Sequence, residues 1–341
     1  MEKVEKVLNV GIIGAGRIGR VHAATLAYRI RAARILAVAD VNLTAAQQVA
    51  AQFGIPMATD DPAALLNNKD IEAVLICSVT GTHAHFIEEA ALAGKHIFCE
   101  KPIALDLAAI DQALAAAAKA GVKLQIGFNR RFDANFRRVR QAIMTGEIGT
   151  PALLHIISRD PSPPPIAYVK TSGGMFLDMT IHDFDMARFL IGAEVDEIYT
   201  LAGITVDPAI GEAGDVDTAV MMLKFSNGVI GTIDNCRRAT YGYDQRVEVL
   251  GSKGAISSAN NYPNAATLSD GASVRRDLPL NFFMDRYTES FASEIAAFVE
   301  AVQQDQPTPV TGHDGRVPVV MGLAAGKSHR EGRPVKLSEI G

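Results

Sequence analysis

Asp178, His182 and Asp185 stand at i, i+4 and i+7 of a stretch whose apolar residues Phe176, Leu177, Ile181, Phe184, Phe189 and Leu190 recur at helical intervals. On one helix over 173–190 all three polar side chains project from a single, partly apolar face. Three readings fit such a set: a metal face, a general base with its orienting carboxylate, or a solvated edge without chemistry. A histidine titrates nearest neutral pH, which suits a base. An acid one turn earlier can hold the imidazole in one orientation and stabilise its protonated form. One imidazole with carboxylates is a thin ligand set for zinc, which usually recruits Cys or several His, so no metal is expected.

Other chemistry-bearing residues lie in the first half. The apolar run Val7–Ile13 ends in Gly14-Ala15-Gly16-Arg17-Ile18-Gly19, and a helical pattern follows. Glycines there let the backbone approach a pyrophosphate, and the helix N-terminus offers free N–H groups to it. Asp40 ends the next apolar run, about 20 residues on, where a carboxylate accepts hydrogen bonds from an adenosine ribose. An acid would repel a 2′-phosphate, and no Arg stands beside Asp40 to hold one, so NAD is expected over NADP. Glu100 and Lys101 follow the strand-like run His96–Cys99, and Ser78, Thr80 and His83 lie in the turn after the run Ile71–Val79.

These residues need elements to position them. Strand and helix patterns alternate through residue 127, the rhythm of a parallel sheet covered on both faces, whose ligands bind beyond the carboxyl ends of the strands. Helices are expected over Ala45–Phe53, Leu105–Ala120 and Phe132–Thr145, and Asp61-Pro62 opens a short one. After 127 the rhythm changes. Pro151–Ser158 reads as a strand, and four prolines between Asp160 and Pro165 exclude regular structure there. Ala219–Phe225 and Val229–Asp234 flank Ser226-Asn227-Gly228, and Gln245–Leu250 and Ala255–Ser258 flank Gly251–Gly254: two hairpins. Helices over about 286–303 and 315–329 close the chain. The expected fold is α/β: an N-terminal Rossmann domain, 1–127, with a doubly wound parallel sheet, and a C-terminal α/β domain, 128–341, with an open, largely antiparallel sheet.

Composition narrows the function classes. The 341 residues are 48% hydrophobic and 21% charged, with a net charge of −5. That is a globular chain without a nucleic-acid surface. The Ala-rich stretch 107–120 carries Asp111, Gln112 and Lys119, too polar to span a bilayer. Met-Glu-Lys-Val-Glu-Lys at the start lacks signal-peptide anatomy. Cys77, Cys99 and Cys236 show no CxxC spacing, so reduced core thiols and a cytoplasmic location are expected.

Glu100-Lys101-Pro102 together with the Gly14–Gly19 loop, Gly127-Phe128-Asn129-Arg130-Arg131-Phe132 and Gly173–Asp183 resembles the family of glucose–fructose oxidoreductase, inositol dehydrogenase and rhizopine-catabolism proteins. Ser158-Arg159-Asp160-Pro161, Tyr241-Gly242-Tyr243-Asp244 and Val249–Gly254 are most similar to its inositol 2-dehydrogenase branch. Two departures stand out: Val79 and Gly81 replace a Pro and an Asp frequent in that branch, and residue 160 is Asp where some relatives carry Asn. The resemblance implies NAD-dependent oxidation of a cyclic polyol, myo-inositol to 2-keto-myo-inositol, with Lys101, Asp178 and His182 as catalytic residues contributed by the two domains. Candidate cofactor contacts are Gly14, Gly16, Arg17, Ile18, Asp40, Ser78, Thr80, His83, Glu100 and Lys101. Candidate substrate contacts are Lys101, Arg130, Asp160, Asp178, His182, Tyr241 and Tyr243. The resemblance further implies a homo-oligomer, a tetramer or dimer, packed through the outer face of the C-terminal sheet. The alternatives are a dehydrogenase of another inositol isomer or a pyranose sugar, and a non-catalytic NAD-binding sensor.

Overall fold

The computed structural model describes residues 7–341. Met1–Lys6, on which part of the signal-peptide expectation rests, lie outside the described residues. The chain forms two compact units, and their division differs from a single cut near 127. The first unit runs through Phe132 and takes back Glu289–Val317; the second comprises Asp133–Thr288 and Pro318–Gly341.

Six parallel strands make the sheet of the first unit: β1 (Leu8–Ile13), β2 (Ala33–Ala39), β3 (Met57–Thr59), β4 (Ala73–Ile76), β5 (His96–Glu100) and β6 (Leu124–Gly127). Their order is β3-β2-β1-β4-β5-β6, the doubly wound arrangement expected from the alternating pattern. The strands are apolar almost throughout because helices cover both faces of such a sheet. Helix ends follow local chemistry. Asn42 and Asp61 cap the helices Leu43–Phe53 and Pro62–Leu66 with their side chains, and Pro62 stands at the first helical position. Leu107–Ala120 starts two residues later than the apolar pattern suggests, because the Asp106 side chain accepts from the Ala109 N–H and fixes the N-cap.

The return of residues 289–317 has a packing reason. In the helix Thr288–Gln303, Ile295, Phe298 and Val299 join the core formed by Val10, Ile12, Ile35, Val38, Leu75 and Phe98. Each such side chain contributes about 1.5–3 kcal/mol on full burial. Beyond this helix the backbone runs beside β6: Ile126 N–H donates to the Val310 carbonyl, and the Thr308 hydroxyl to that of Leu124. The sheet edge at β6 is thereby covered. The division between the units falls inside the helix Gly312–Glu331, at Pro318.

The second unit is built on β7 (Pro151–Arg159), β8 (Val195–Gly203), β9 (Thr218–Phe225), β10 (Ile230–Cys236), β11 (Asp244–Gly251) and β12 (Gly254–Ser258). A small hairpin, β13 (Thr267–Ser269) and β14 (Val274–Arg276), stands apart, and β15 (Val335–Lys336) completes the large sheet. The order is β12-β11-β7-β10-β9-β8-β15, antiparallel except where β7 pairs with β10. Both expected hairpins form. Helices Ala134–Met144 and Ile181–Ile191 pack against each other, the second also against β7. Alternation along the strands leaves the opposite face exposed, with Leu153, Leu201, Val220, Met222, Ile230 and Leu250 on it. Leu250, Leu153 and Ile230 are direct cross-strand neighbours, as are Leu201 and Val220.

The single helix expected over 173–190 is instead two pieces. Met175–Met179 is a π-turn, closed by the Thr180 N–H donating to the Met175 carbonyl at 2.9 Å, and the α-helix begins at Ile181. The proline-rich stretch leads directly into a short helix, Ile166–Ser172, for which no element is named from sequence.

Candidate active site

In the first unit the glycine loop shows three distinct geometries. Gly14 has φ +107°, and a Cβ there would stand 2.5 Å from the Cys77 carbonyl carbon and oxygen. A Cβ on Gly19 would come within 2.0 Å of the Gly14 carbonyl oxygen, so helix and strand pack closer than any side chain permits. Gly16 has no neighbour within 4 Å of its would-be Cβ. It is the N-cap of the helix Arg17–Arg29, and no side chain caps that end. Its N–H groups and dipole are thus available to an anion, while Arg17 is exposed and Ile18 half-buried beside them.

Asp40 follows the end of β2. One carboxylate oxygen accepts from the Ala15 N–H at 2.7 Å and the other from the Asn42 N–H at 2.8 Å. The carboxylate is therefore tied directly to the glycine loop and remains half-exposed. This set, a tight glycine turn, an uncapped helix end and a strand-end acid, fits a dinucleotide with a free ribose 2′-hydroxyl.

The remaining candidates of this unit gather after β4, β5 and β6. The Ser78 and Thr82 hydroxyls share a hydrogen bond of 2.7 Å, with Thr80 half-buried in the turn between them. His83 is buried, and its ring nitrogens lie 2.8 Å from the Pro102 carbonyl and 3.0 Å from that of Ser78. Its ring ties two strand-end turns together. Glu100 also points inward: its carboxylate meets His22 Nε2 at 2.6 Å in the core. Lys101 is the first residue past β5 and is half-buried, and Arg130 is buried in the turn after β6.

His22, Glu100 and Glu294 are all buried and bring ligand-type atoms within 4.8 Å of one another. The 2.6 Å contact between His22 and Glu100 is a direct hydrogen bond. Two ligands on one zinc stand about 3.3 Å apart. His22 holds Glu100, and with it the end of β5. Burial also pushes the Cys77 and Cys99 thiols well above their usual range, which makes them inert core groups.

In the second unit the π-turn and the following helix separate the three polar residues. Asp178 and His182 are half-buried, whereas Asp185 lies in the core. One Asp178 oxygen accepts from the Tyr168 hydroxyl at 2.9 Å; the other lies 3.7 Å from Arg237 Nη1. Asn235, on β10, fixes the start of the helix: its Nδ2 donates to Asp183 at 2.9 Å, and its Oδ1 accepts from the Thr180 hydroxyl at 2.6 Å. Asp160 lies 3.9 Å from the same Arg237. Tyr241 is partly exposed and Tyr243 is buried. The Tyr241 hydroxyl donates to Asp244 at 2.5 Å and accepts from Arg159 at 3.2 Å, and Tyr243 is buried with its ring edge-on to Tyr287.

Tyr168, Asn235 and Arg237 thus support Asp178 and His182 without any mark in the sequence. Tyr168 sits in an unexpected helix, and Asn235 and Arg237 are ordinary residues at the end of a strand.

Residues 8–128 match the family model described as "Oxidoreductase family, NAD-binding Rossmann fold", and residues 136–257 match the GFO/IDH/MocA C-terminal domain. The chain is 46% identical to a myo-inositol 2-dehydrogenase of Thermotoga maritima, over 98% of this chain and 99% of that protein. It is 45% identical to an inositol 2-dehydrogenase of Rhizobium meliloti, over 96% of this chain and 98% of the relative. A crystal structure of scyllo-inositol dehydrogenase from Lactobacillus casei, with bound NAD(H) and scyllo-inositol, superposes with a TM-score of 0.92 at 31% identity, covering 98% of this chain and 100% of that one. The glycine loop with its strand-end acid and these full-length similarities place the chain in the GFO/IDH/MocA oxidoreductase family, with an NAD-binding Rossmann fold as its first part.

Proposed function

We propose that this protein oxidises myo-inositol to 2-keto-myo-inositol with NAD. The observation that carries the reading is the arrangement of Asp178 and His182: a half-buried carboxylate held by Tyr168 and Arg237, with a half-buried imidazole one turn on. Full-length relatives that are inositol dehydrogenases support it.

NAD, when bound, would supply the hydride acceptor for the alcohol carbon. Gly14, Gly16, Arg17 and Ile18 with the helix end would hold its pyrophosphate, and Asp40 its adenosine ribose. Ser78 and Thr80 would line the nicotinamide side. Glu100 and His83 fix the turns from within rather than touch the ligand. His182 accepts the hydroxyl proton, and Asp178 orients the imidazole and stabilises its protonated form. Lys101 donates a hydrogen bond to the reacting oxygen. Asp160 and Arg130 hold other hydroxyls of the ring, while Tyr241 and Tyr243 shape the neighbouring wall.

A second reading, preference for a different inositol isomer, is favoured by the similarity to a scyllo-inositol enzyme. Epimers differ only in hydrogen bonds placed by the fold. The test is NADH formation with myo-, scyllo- and chiro-inositol and glucose between about pH 7 and 10. Turnover highest with myo-inositol is expected; turnover with scyllo-inositol alone favours the second reading, and none with any polyol overturns both. His182→Ala should lower kcat about 10²–10⁴-fold and leave NAD affinity unchanged. Retained turnover would mean another base.

The exposed apolar band Leu250–Leu153–Ile230 with Met222, Val220 and Leu201 supports a homo-oligomer formed through the outer sheet face. Ile230→Glu should convert it to a monomer in light scattering. No helix among the described residues is long and apolar enough to cross a membrane, and the three cysteines are free thiols, in keeping with a cytoplasmic enzyme.

A further inference from the structure

Arg237 is the largest fully buried side chain among the described residues, 1% exposed. It follows β10 directly, and its backbone N–H donates to the Asp217 carbonyl. Three carboxylates surround its guanidinium, and they come from three different segments. Asp160 precedes the proline-rich stretch, Asp178 lies in the π-turn, and Asp215 precedes β9. The distances are 3.9, 3.7 and 3.8 Å. A guanidinium is charged at any working pH, so this buried cation is permanent.

The carboxylates are not equivalent. Both oxygens of Asp215 accept from the Met175 N–H, at the first residue of the π-turn. Gly174, at φ +74°, gives it room: a Cβ there would stand 2.7 Å from Asp215 Oδ1. Asp215 is thus committed to the turn. Asp160, Asp178 and Asp215 keep 28%, 15% and 12% of their side-chain surface in solvent, so the Met175 N–H, not exposure, sets Asp215 apart. Facing Asp178 are the Tyr168 hydroxyl and Arg237, and facing Arg237 are Asp160, Asp178 and Asp215. The neighbouring Asp217 carboxylate is occupied by the N–H groups of Thr205, Val206 and Asp207.

We propose that Arg237 is a positioning residue for the reaction, whose buried charge fixes the Asp178 carboxylate and competes with the protonated His182 for it. The inference rests on the assignment of His182 as base. A cation at 3.7 Å from Asp178 makes that carboxylate a weaker partner for an imidazolium. Removing that competition is expected to strengthen the pairing of Asp178 with an imidazolium and so to raise the pH of the acidic limb. Arg237 also joins the three segments, so Asp160 and Asp178 are held at a fixed separation.

The test is the pH dependence of kcat/KM for myo-inositol with saturating NAD, in full-length Arg237→Gln, Arg237→Lys and Arg237→Gln/Asp215→Asn. The double substitution removes one charge of each sign and so avoids three carboxylates without a counter-charge. In Arg237→Gln the acidic limb should move up by about one pH unit. The double variant should move the same way by less, and Arg237→Lys should leave the limb within about 0.3 unit of the parent. An unmoved limb in both Gln variants, whatever their loss of kcat or thermal stability, overturns the proposal in favour of a purely structural arginine. His182→Ala in parallel separates the two readings. If it keeps turnover and the same limb, the base assignment fails; if it abolishes turnover while the Gln variants leave the limb in place, only the role of Arg237 fails.

Discussion

The strand ends of the first unit and the Asp178 turn of the second make their polar surfaces by opposite means. In the first, the working groups are backbone N–H groups at an uncapped helix end, where Gly14 and Gly19 allow tight backbone packing and Gly16 leaves no side chain in the way. One carboxylate, Asp40, is bonded straight to that loop. The second surface is made of side-chain charge. A buried arginine stands among three carboxylates drawn from positions 160, 178 and 215, and an asparagine on β10 clamps the helix start. A backbone site tolerates no added atom but needs few partners. A side-chain network accepts some change of shape but depends on each of its charges being matched.

The sharpest way to break this contrast is at the glycines. Gly19→Ala forces a Cβ against the Gly14 carbonyl and should cost about 3 kcal/mol or more of stability, read as a lowered denaturation midpoint. Gly16→Ala should change stability by less than about 0.5 kcal/mol and yet weaken NAD binding. Equal losses of stability in the two variants would show that the loop does not divide its work between packing and ligand approach. In the second unit, Asn235→Ala removes the donor to Asp183 and the acceptor for Thr180 together. A loss of about 1–3 kcal/mol is expected, along with reduced kcat because the start of the His182 helix loosens. Unchanged kcat with the full stability loss would detach that clamp from the reaction.

Asp40→Ser should weaken NAD binding about tenfold and NADP binding far less. Equal loss for both cofactors would refute the ribose assignment and leave Asp40 as a structural brace for Ala15. The smallest effect concerns acid stability. Burial pushes the Asp217 carboxyl up, but the N–H groups of Thr205, Asp207 and Val206 and the Thr218 hydroxyl outweigh it, and the net shift is downward. A carboxyl depressed in the folded state contributes stability that is fully present above its unfolded value, about 3.9. That contribution is lost as pH falls through the folded value. Asp217→Asn should therefore flatten the acid limb of the stability curve by on the order of 1 kcal/mol. An unaltered limb would place the acid sensitivity elsewhere.

Much of the first unit is legible from residue order because its causes are local. The alternation of apolar runs and helical patterns specifies a parallel sheet, the glycine spacing specifies the turn, and Asp61-Pro62 marks a helix start. The second unit is legible at its hairpins for the same reason. The resemblance carried by Glu100-Lys101-Pro102 and by the stretch from Gly173 to Asp183 also reaches the family, since those residues are contiguous.

What residue order did not decide depends on contacts between distant segments. The apolar face of Thr288–Gln303 specifies a helix, but only the tertiary structure places it on the first sheet beside Phe98. The periodicity over 173–190 suggests one regular helix. The Asp215 carboxylate on the Met175 N–H and the Asn235 clamp at Thr180 instead accommodate a π-turn, which sends Asp185 into the core. Glu100 and His83 look like ligand contacts by position, yet pair with His22 and with two backbone carbonyls. Sequence alone determined which residue types stand at the ends of strands and helices, because propensity, capping and hydrophobic period act over a few residues. The tertiary structure alone decided which charges meet, because a buried guanidinium such as Arg237 must find its carboxylates wherever the fold brings them.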